Sequence, residues 1–305
     1  MLSGIVLRTT GGAYEVDTEE GVRQAVLRGR LRLDDRVGDR VVTGDQVQIA
    51  PQERPDEPWT IERVEERTSA LVRRAPGKAP RPKVIVANMD RILVVFATSR
   101  PEPHLRMLDR FLVLCEASAL DPVIVVNKVD LVGEAAARAV FDIYERIGYP
   151  VHYVSAAEGT GMDPIREILC SGISALTGPS GVGKSSILNA IESGLKLRVG
   201  EVGDLVRKGR HTTVTAELIR LRCGGYVADT PGLRELGLWG IESDELDLLF
   251  PEFEDYLGTC KYGNSCSHSH EPGCAVRRAV NDGLVSAGRY ESYLLLLRGD
   301  DQSWE

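Results

Sequence analysis

The stretch GPSGVGKSS, Gly178 to Ser186, leaves a chain little freedom in how it folds. It follows an apolar run of strand length, ISALT, and precedes a helical pattern, KSSILNAIESG. Gly, four residues, then Gly-Lys-Ser between strand and helix is the pattern of a phosphate loop. Glycines let a backbone curl around phosphates without Cβ clashes, and the helix N-terminus adds its dipole. On this reading Gly178, Pro179, Ser180, Gly181, Val182, Gly183, Lys184, Ser185 and Ser186 surround a polyphosphate. Lys184 would reach the β- and γ-phosphates and Ser185 would ligate Mg²⁺. VADTPG, Val227 to Gly232, supplies a strand that carries Asp229 toward the Mg²⁺ shell. The N–H of Gly232 would meet the γ-phosphate. Thr212 and Thr213 lie between these motifs, and one of them would bind Mg²⁺ and order its loop in the triphosphate state. Spacing does not choose between the two.

A second motif, VVNKVDL at Val125 to Leu131, reads a purine. Guanine presents N1–H and N2–H₂ side by side, and the Asp130 carboxylate accepts both. Adenine would leave that carboxylate unpaired. Asn127 would bond N7 and O6, and the stem of Lys128 would cover the base. After the next helix and strand come Ser155 and Ala156, whose N–H is suited to O6. This motif precedes the phosphate loop, whereas most GTPases have the reverse order. As a ring, the elements keep the usual sequence. Strand, NKVD, helix, strand, SA and helix run through Ser171–Gly172 into the phosphate loop, the threonines and DTPG. A circular permutation cut after DTPG explains both motifs, and domain termini often lie close enough to permit it.

With 305 residues, there is room for more than this domain. Residues 1–70 hold short β-prone runs separated by turn residues, which predicts a small all-β barrel or sandwich. Residues 71–85 read as a linker rich in Pro, Lys and Arg. Residues 86–240 alternate strand and helix, as an α/β domain with a mostly parallel sheet does. Residues 241–305 change pattern again. SDELDLLFPEF predicts a short helix capped by Ser243, and RYESYLLLL a closing helix. Between them CKYGNSCSHSHEPGC offers Cys260, Cys266 and Cys274, with His268 or His270 as fourth ligand. Three thiolates and one imidazole suit a closed tetrahedral Zn²⁺ site. Cys115, Cys170 and Cys223 sit in apolar patterns and read as core residues.

The net charge of −8 argues mildly against nucleic-acid binding, although such binding uses local patches. RRAPGKAPRPK (73–83) and RKGRH (207–211) are locally basic. No apolar run is long enough to span a bilayer, and the N-terminus lacks the features of a signal peptide. A cytoplasmic monomer without a membrane partner is expected.

The motif order, with a β block before and a Cys/His block after, resembles the RsgA (YjeQ) family of circularly permuted GTPases. NKVD, GPSGVGKSS, GRHTT, DTPGLREL and CSHSHEPGCAV carry the resemblance, which covers essentially the whole chain. It implies an OB-fold for residues 1–70, with RNA-binding function. It implies GTP hydrolysis to GDP stimulated by the small ribosomal subunit, binding to that subunit's rRNA, and release when assembly has been checked. It selects His268 over His270. Five residues separate Cys260 from Cys266 where the family pattern has four, so a loop must absorb one. The position of the water-orienting Gln in Ras-like enzymes is Leu233 here, and the resemblance points to His211 instead. Slow turnover is expected until a partner orders the switch. DTPG runs directly into the metal block, so switch movement is expected to reach it. The competing readings are a GTPase acting on a protein or membrane partner, and a non-enzymatic RNA-binding module. No lipidation motif supports a membrane partner, and the intact Lys184, Ser185, Asp229 and Asp130 oppose the non-enzymatic reading.

Overall fold

A computed structural model describes residues 1–28, 41–54, 56–73, 83–192, 216–229 and 245–299. His211, Thr212, Thr213, Gly232, Leu233 and Ser243 lie outside the described residues, as do the RKGRH stretch and residues 74–82.

The strand β8 (Arg91–Ala97) explains the centre of the molecule. RILVVFA has almost no polar residue because both its faces are covered. Ile92, Val94 and Phe96 point to one layer, with Leu108 and Leu112 of α1 (Leu105–Ala117) and Ala137, Phe141 and Tyr144 of α2 (Glu134–Ile147). Leu93, Val95 and Ala97 point to the other layer. There they meet Ile165 and Leu169 of α3 (Met162–Leu169) and Ile187 and Leu188 of α4 (Lys184–Ile191). The period of two in the strand thus sorts its side chains into two cores.

Around β8 lie β9 (Asp121–Asn127), β10 (Val151–Tyr153), β11 (Ile173–Thr177), β12 (Glu217–Arg220) and β13 (Tyr226–Asp229). Their order is β10-β9-β8-β11-β13-β12, all parallel except β12, which pairs antiparallel with β13. Strands β8, β9 and β11 therefore end at one edge, and the phosphate and base motifs follow them there.

The first block closes as a barrel of β1 (Leu2–Thr10), β2 (Ala13–Thr18), β3 (Gly21–Leu27), β4 (Gln46–Ala50) and β5 (Trp59–Val64). Pairings run β1-β2-β3-β5-β4 and back to β1, which removes free edges. Val6, Val16, Ala25, Val47, Ile49 and Ile61 fill it. The barrel is continuous with the central sheet, because β1 pairs antiparallel with β12 at Arg8 and Glu217. The ends of the expected linker are themselves strands, β6 (Ala70–Arg73) and β7 (Lys83–Ala87), paired with each other.

The C-terminal block departs from expectation at SDELDLLFPEF. Instead of one short helix, its described part forms two 3-10 turns, Leu246–Leu249 and Pro251–Tyr256, with Phe250 extended between them. Pro251 cannot continue a helix through its own missing N–H, and it disfavours helical backbone at Phe250. Two helices follow, α5 (Ala275–Asn281) and α6 (Ala287–Leu297). Phe250 and Phe253 stack, Tyr293 meets both rings edge-on, and Val113 from α1 joins this core.

The cysteine reading needs one correction. Cys115 is buried and free, as expected, but Cys170 and Cys223 form a disulfide. The turn between β12 and β13 lies so close to the end of α3 that a Cβ on Gly225 would sit 2.0 Å from Leu169 O. That contact is tertiary, so neither local pattern reveals it. Among the described residues no helix is long and apolar enough to cross a membrane.

Candidate nucleotide site and metal centre

β11 ends at Thr177, and the chain then turns through Gly178, Gly181 and Gly183, all with positive φ. Two of these glycines are sterically required. A Cβ on Gly178 would lie 2.1 Å from Val95 O, and one on Gly183 would lie 2.2 Å from Asn127 Nδ2. The loop is thus pressed against the ends of β8 and β9 before α4 begins at Lys184. Lys184 and Ser185 are buried. The Lys184 Nζ donates to the carbonyls of Gly178 (2.8 Å) and Pro179 (2.6 Å), which holds the ammonium over the loop. A cradle that only glycine can form, with a cation over it and a helix N-terminus below, fits a polyphosphate.

The base motif is laced to this loop. Asn127 Nδ2 donates to Val182 O (2.9 Å), and the Ala156 N–H donates to Asn127 Oδ1 (3.1 Å). Lys128 takes a left-handed backbone, φ 65, and its Nζ donates to Gly181 O (2.7 Å) and to Arg100 O. Burial pulls the Lys128 ammonium below its usual range, while Asp130 pushes it back up. Ser155 Oγ donates to Asp130 Oδ1 (2.6 Å), which fixes the carboxylate expected to read the base. The SA pair therefore has a structural role in addition to its expected contact with guanine O6. Sequence reasoning missed Thr98, whose Oγ donates to Lys128 O (2.7 Å) and braces the strained residue. A threonine just after a strand carries no signal for this.

Asp229 closes β13, which runs parallel to β11 with Ala228 opposite Ala175. Asp229 is buried at the edge where the phosphate loop starts. Its carboxylate, with the Ser185 hydroxyl, is an all-oxygen donor set of the kind Mg²⁺ takes. Of the expected switch residues, His211, Thr212, Thr213 and Gly232 lie outside the described residues.

The metal cluster is formed as expected. Cys260, Cys266, His268 and Cys274 are all buried, with ligand atoms within 4.8 Å of one another. His268 Nδ1 is 3.5 Å from both Cys260 Sγ and Cys274 Sγ. His270 is exposed and bonds Ser269, outside the cluster. The segment between Cys260 and Cys266 contains a 3-10 turn, Gly263–Ser265, and both cysteines still reach the cluster. Sulfur also accepts backbone bonds, from Ala275 N to Cys260 Sγ (3.1 Å) and from Arg277 N to Cys274 Sγ (3.4 Å). Burial raises the Cys266 thiol. A divalent cation held there would reverse that preference and keep its thiol ligands deprotonated. Three sulfurs and one imidazole nitrogen within reach of one point fit a tetrahedral ion such as Zn²⁺.

Two supporting carboxylates were invisible in the sequence. Asp247 Oδ2 lies 3.1 Å from His268 Nε2, which leaves Nδ1 to face the sulfurs. Glu271 accepts from Ser267 N (2.9 Å), Ser267 Oγ (2.6 Å), Ser269 N (3.2 Å) and His270 N (3.2 Å). Burial alone would raise Glu271, but these donors outweigh it and hold the carboxyl at about 2. They fix the loop in which His268 has φ 55.

A phosphate loop bonded to a guanine-reading loop that precedes it in the chain defines a circularly permuted P-loop GTPase. The comparisons agree. The family model described as RsgA GTPase matches residues 64–239, and the RsgA N-terminal domain model matches residues 3–56. A Small ribosomal subunit biogenesis GTPase RsgA from Gemmatimonas aurantiaca is 50% identical, over 96% of each chain. One from Moorella thermoacetica is 44% identical over 97% of this chain and 96% of that one. The crystal structure of YjeQ from Thermotoga maritima superposes with a TM-score of 0.79 at 36% identity, covering 98% of both chains. That of YloQ, described as a circularly permuted GTPase, gives 0.76 at 31% identity, covering 98% of this chain and 95% of that one. The chain belongs to the RsgA family, and it is a GTPase.

Proposed function

We propose that this GTPase is a late assembly factor of the small ribosomal subunit, which stimulates its GTP hydrolysis and whose rRNA it binds. The reading rests on the relatives named for small-subunit biogenesis and on the intact nucleotide constellation. The bonds from Asn127 and Lys128 to Val182 and Gly181 carry it most directly. They make base recognition and phosphate binding one rigid unit, as a switch specific for guanine nucleotides needs.

In this reading Lys184 neutralises charge on the transferring phosphoryl group. Ser185, one of Thr212 and Thr213, and Asp229 surround Mg²⁺, and Gly232 senses the γ-phosphate. His211 orients the attacking water. Mg²⁺ supplies charge neutralisation when bound, and one Zn²⁺ held by Cys260, Cys266, His268 and Cys274 is structural. The protein works as a cytoplasmic monomer divided into an RNA-binding barrel (1–70), a link (71–85), a GTPase domain (86–240) and a metal domain (241–305).

Purified small subunits, incubated with the protein and GDP or a non-hydrolysable GTP analogue, test this by co-sedimentation. Binding favoured by the analogue, together with faster GTP turnover on adding subunits, is expected. Failure of subunits to bind or to stimulate refutes the reading. His211→Ala with subunits present tests the water-positioning role, and unchanged turnover rules it out.

A further inference from the structure

The barrel grips the β12–β13 hairpin through a buried carboxylate, at the end of the hairpin opposite Asp229. Asp17 lies on β2, is 3% exposed, and belongs to the barrel. Both of its oxygens are taken by the hairpin of the GTPase domain. Oδ1 accepts from Arg220 Nη1 of β12 (2.9 Å), and Oδ2 accepts from Tyr226 Oη of β13 (2.7 Å). Burial and the bond to Asp17 raise the Tyr226 phenol to about 12, so it keeps its proton and donates.

This hairpin occupies a particular place. Ala216, just before β12, follows the stretch that carries Thr212 and Thr213, and its carbonyl accepts from the barrel's Thr43 Oγ (2.8 Å). At the other end β13 terminates in Asp229. One rung of the sheet runs from Arg8 in the barrel to Glu217 and on to Asp229. The hairpin is bonded on one side to β1 and on the other to β11, which feeds the phosphate loop.

We propose that Asp17 is a coupling residue between the barrel and the GTPase domain, tying the orientation of the barrel to the hairpin that ends in Asp229. The physical reason is the cost of the alternative. If the barrel moved by an ångström and the hairpin stayed, a buried carboxylate would lose its donors. The hairpin therefore follows the barrel. A partner that docks on the barrel shifts the frame of Asp229 and of the threonine segment. By linkage the nucleotide at that site alters the barrel's affinity for the partner by the same factor.

The inference rests on the proposed small-subunit partner, and the experiment separates the two. Full-length protein is compared as parent, Asp17→Asn and Tyr226→Phe, the last removing a single hydroxyl. Three quantities are read: GTP turnover alone, turnover with purified small subunits, and the ratio of subunit affinities in the GTP-analogue and GDP states. Coupling between sites spans about 5–150-fold in typical systems. Turnover alone within about twofold of parent is expected for both variants, with an affinity ratio and a stimulation at least about fivefold smaller in Asp17→Asn. Tyr226→Phe should fall between Asp17→Asn and the parent. Both variants retaining the parent's ratio and stimulation overturn the inference. A parent that shows neither overturns the functional reading instead. A general folding defect would lower turnover alone as well, which counts against a specific coupling role.

Discussion

Arg289 is nearly completely buried, and replacing it with Met should loosen the C-terminal block from the GTPase domain. Its guanidinium donates to Asp109 Oδ1 on α1 (2.9 Å) and to both Glu252 oxygens (2.7 and 3.1 Å). It also lies 4.7 Å from the Phe250 ring centroid. Asp109 further accepts from Tyr144 (2.8 Å) on α2 and from Ser292 on α6. Burial would lower the Arg289 guanidinium, but Asp109 and Glu252 outweigh it and keep it charged. Met fills much of the volume yet leaves two buried carboxylates without their cation. Breaking a buried ion pair in this way costs about 3–5 kcal/mol. With a urea slope of about 2 kcal/mol/M, the midpoint should fall by about 1.5–2.5 M. The measurement is urea unfolding of the zinc-saturated chain, followed by far-UV circular dichroism and tyrosine fluorescence. The two probes should separate in the variant, because the block detaches before the sheet unfolds. The loss should also depend on pH. Burial raises the Asp109 carboxyl even with Arg289 present. A carboxyl raised in the folded state contributes stability that is complete below its unfolded value, near 4, and is lost as pH rises through the folded one. Without Arg289 that penalty is uncompensated, so the deficit should be larger at pH 8 than at pH 5. A loss below about 1 kcal/mol, or a deficit that shrinks with rising pH, would refute the reasoning.

Other consequences are testable individually. Asp247→Asn should weaken zinc retention by about 10–100-fold in chelator competition, because His268 loses its orienting carboxylate. Asp130→Asn should lower GTP affinity by at least about 100-fold, since two guanine donors lose their acceptor, and xanthosine nucleotides should then compete better. In oxidised protein, Cys170→Ser should reduce stability by up to about 4 kcal/mol, from the closed loop of sequence separation 53. Equal unfolding midpoints for parent and variant under non-reducing conditions would contradict it.

The connection from DTPG into the metal block lies outside the described residues. That block rests on α1 through Arg289, Asp109 and Val113. Among the described residues its anchor on the GTPase domain is thus α1, the helix that follows β8. Asp109 and Val113, four residues apart on one face of α1, carry this contact, and a lone Asp in a helical stretch looks like solvated surface in the sequence.

What the sequence determined by itself was chemistry with a local address. The glycines of 178–183, NKVD, SA, Asp229 and the Cys/His spacing each follow from steric or donor requirements that neighbouring residues satisfy. The cyclic order of the nucleotide motifs was enough to place them at the same end of one sheet. Tertiary structure alone decided what depends on residues far apart in the chain. Asp17 meets Arg220 and Tyr226, Asp109 meets Arg289, Asp247 meets His268, and Cys170 meets Cys223. A buried charge is stable only beside its partner, and the partner's position is set by packing across the whole sheet. No pattern local to either residue can encode it.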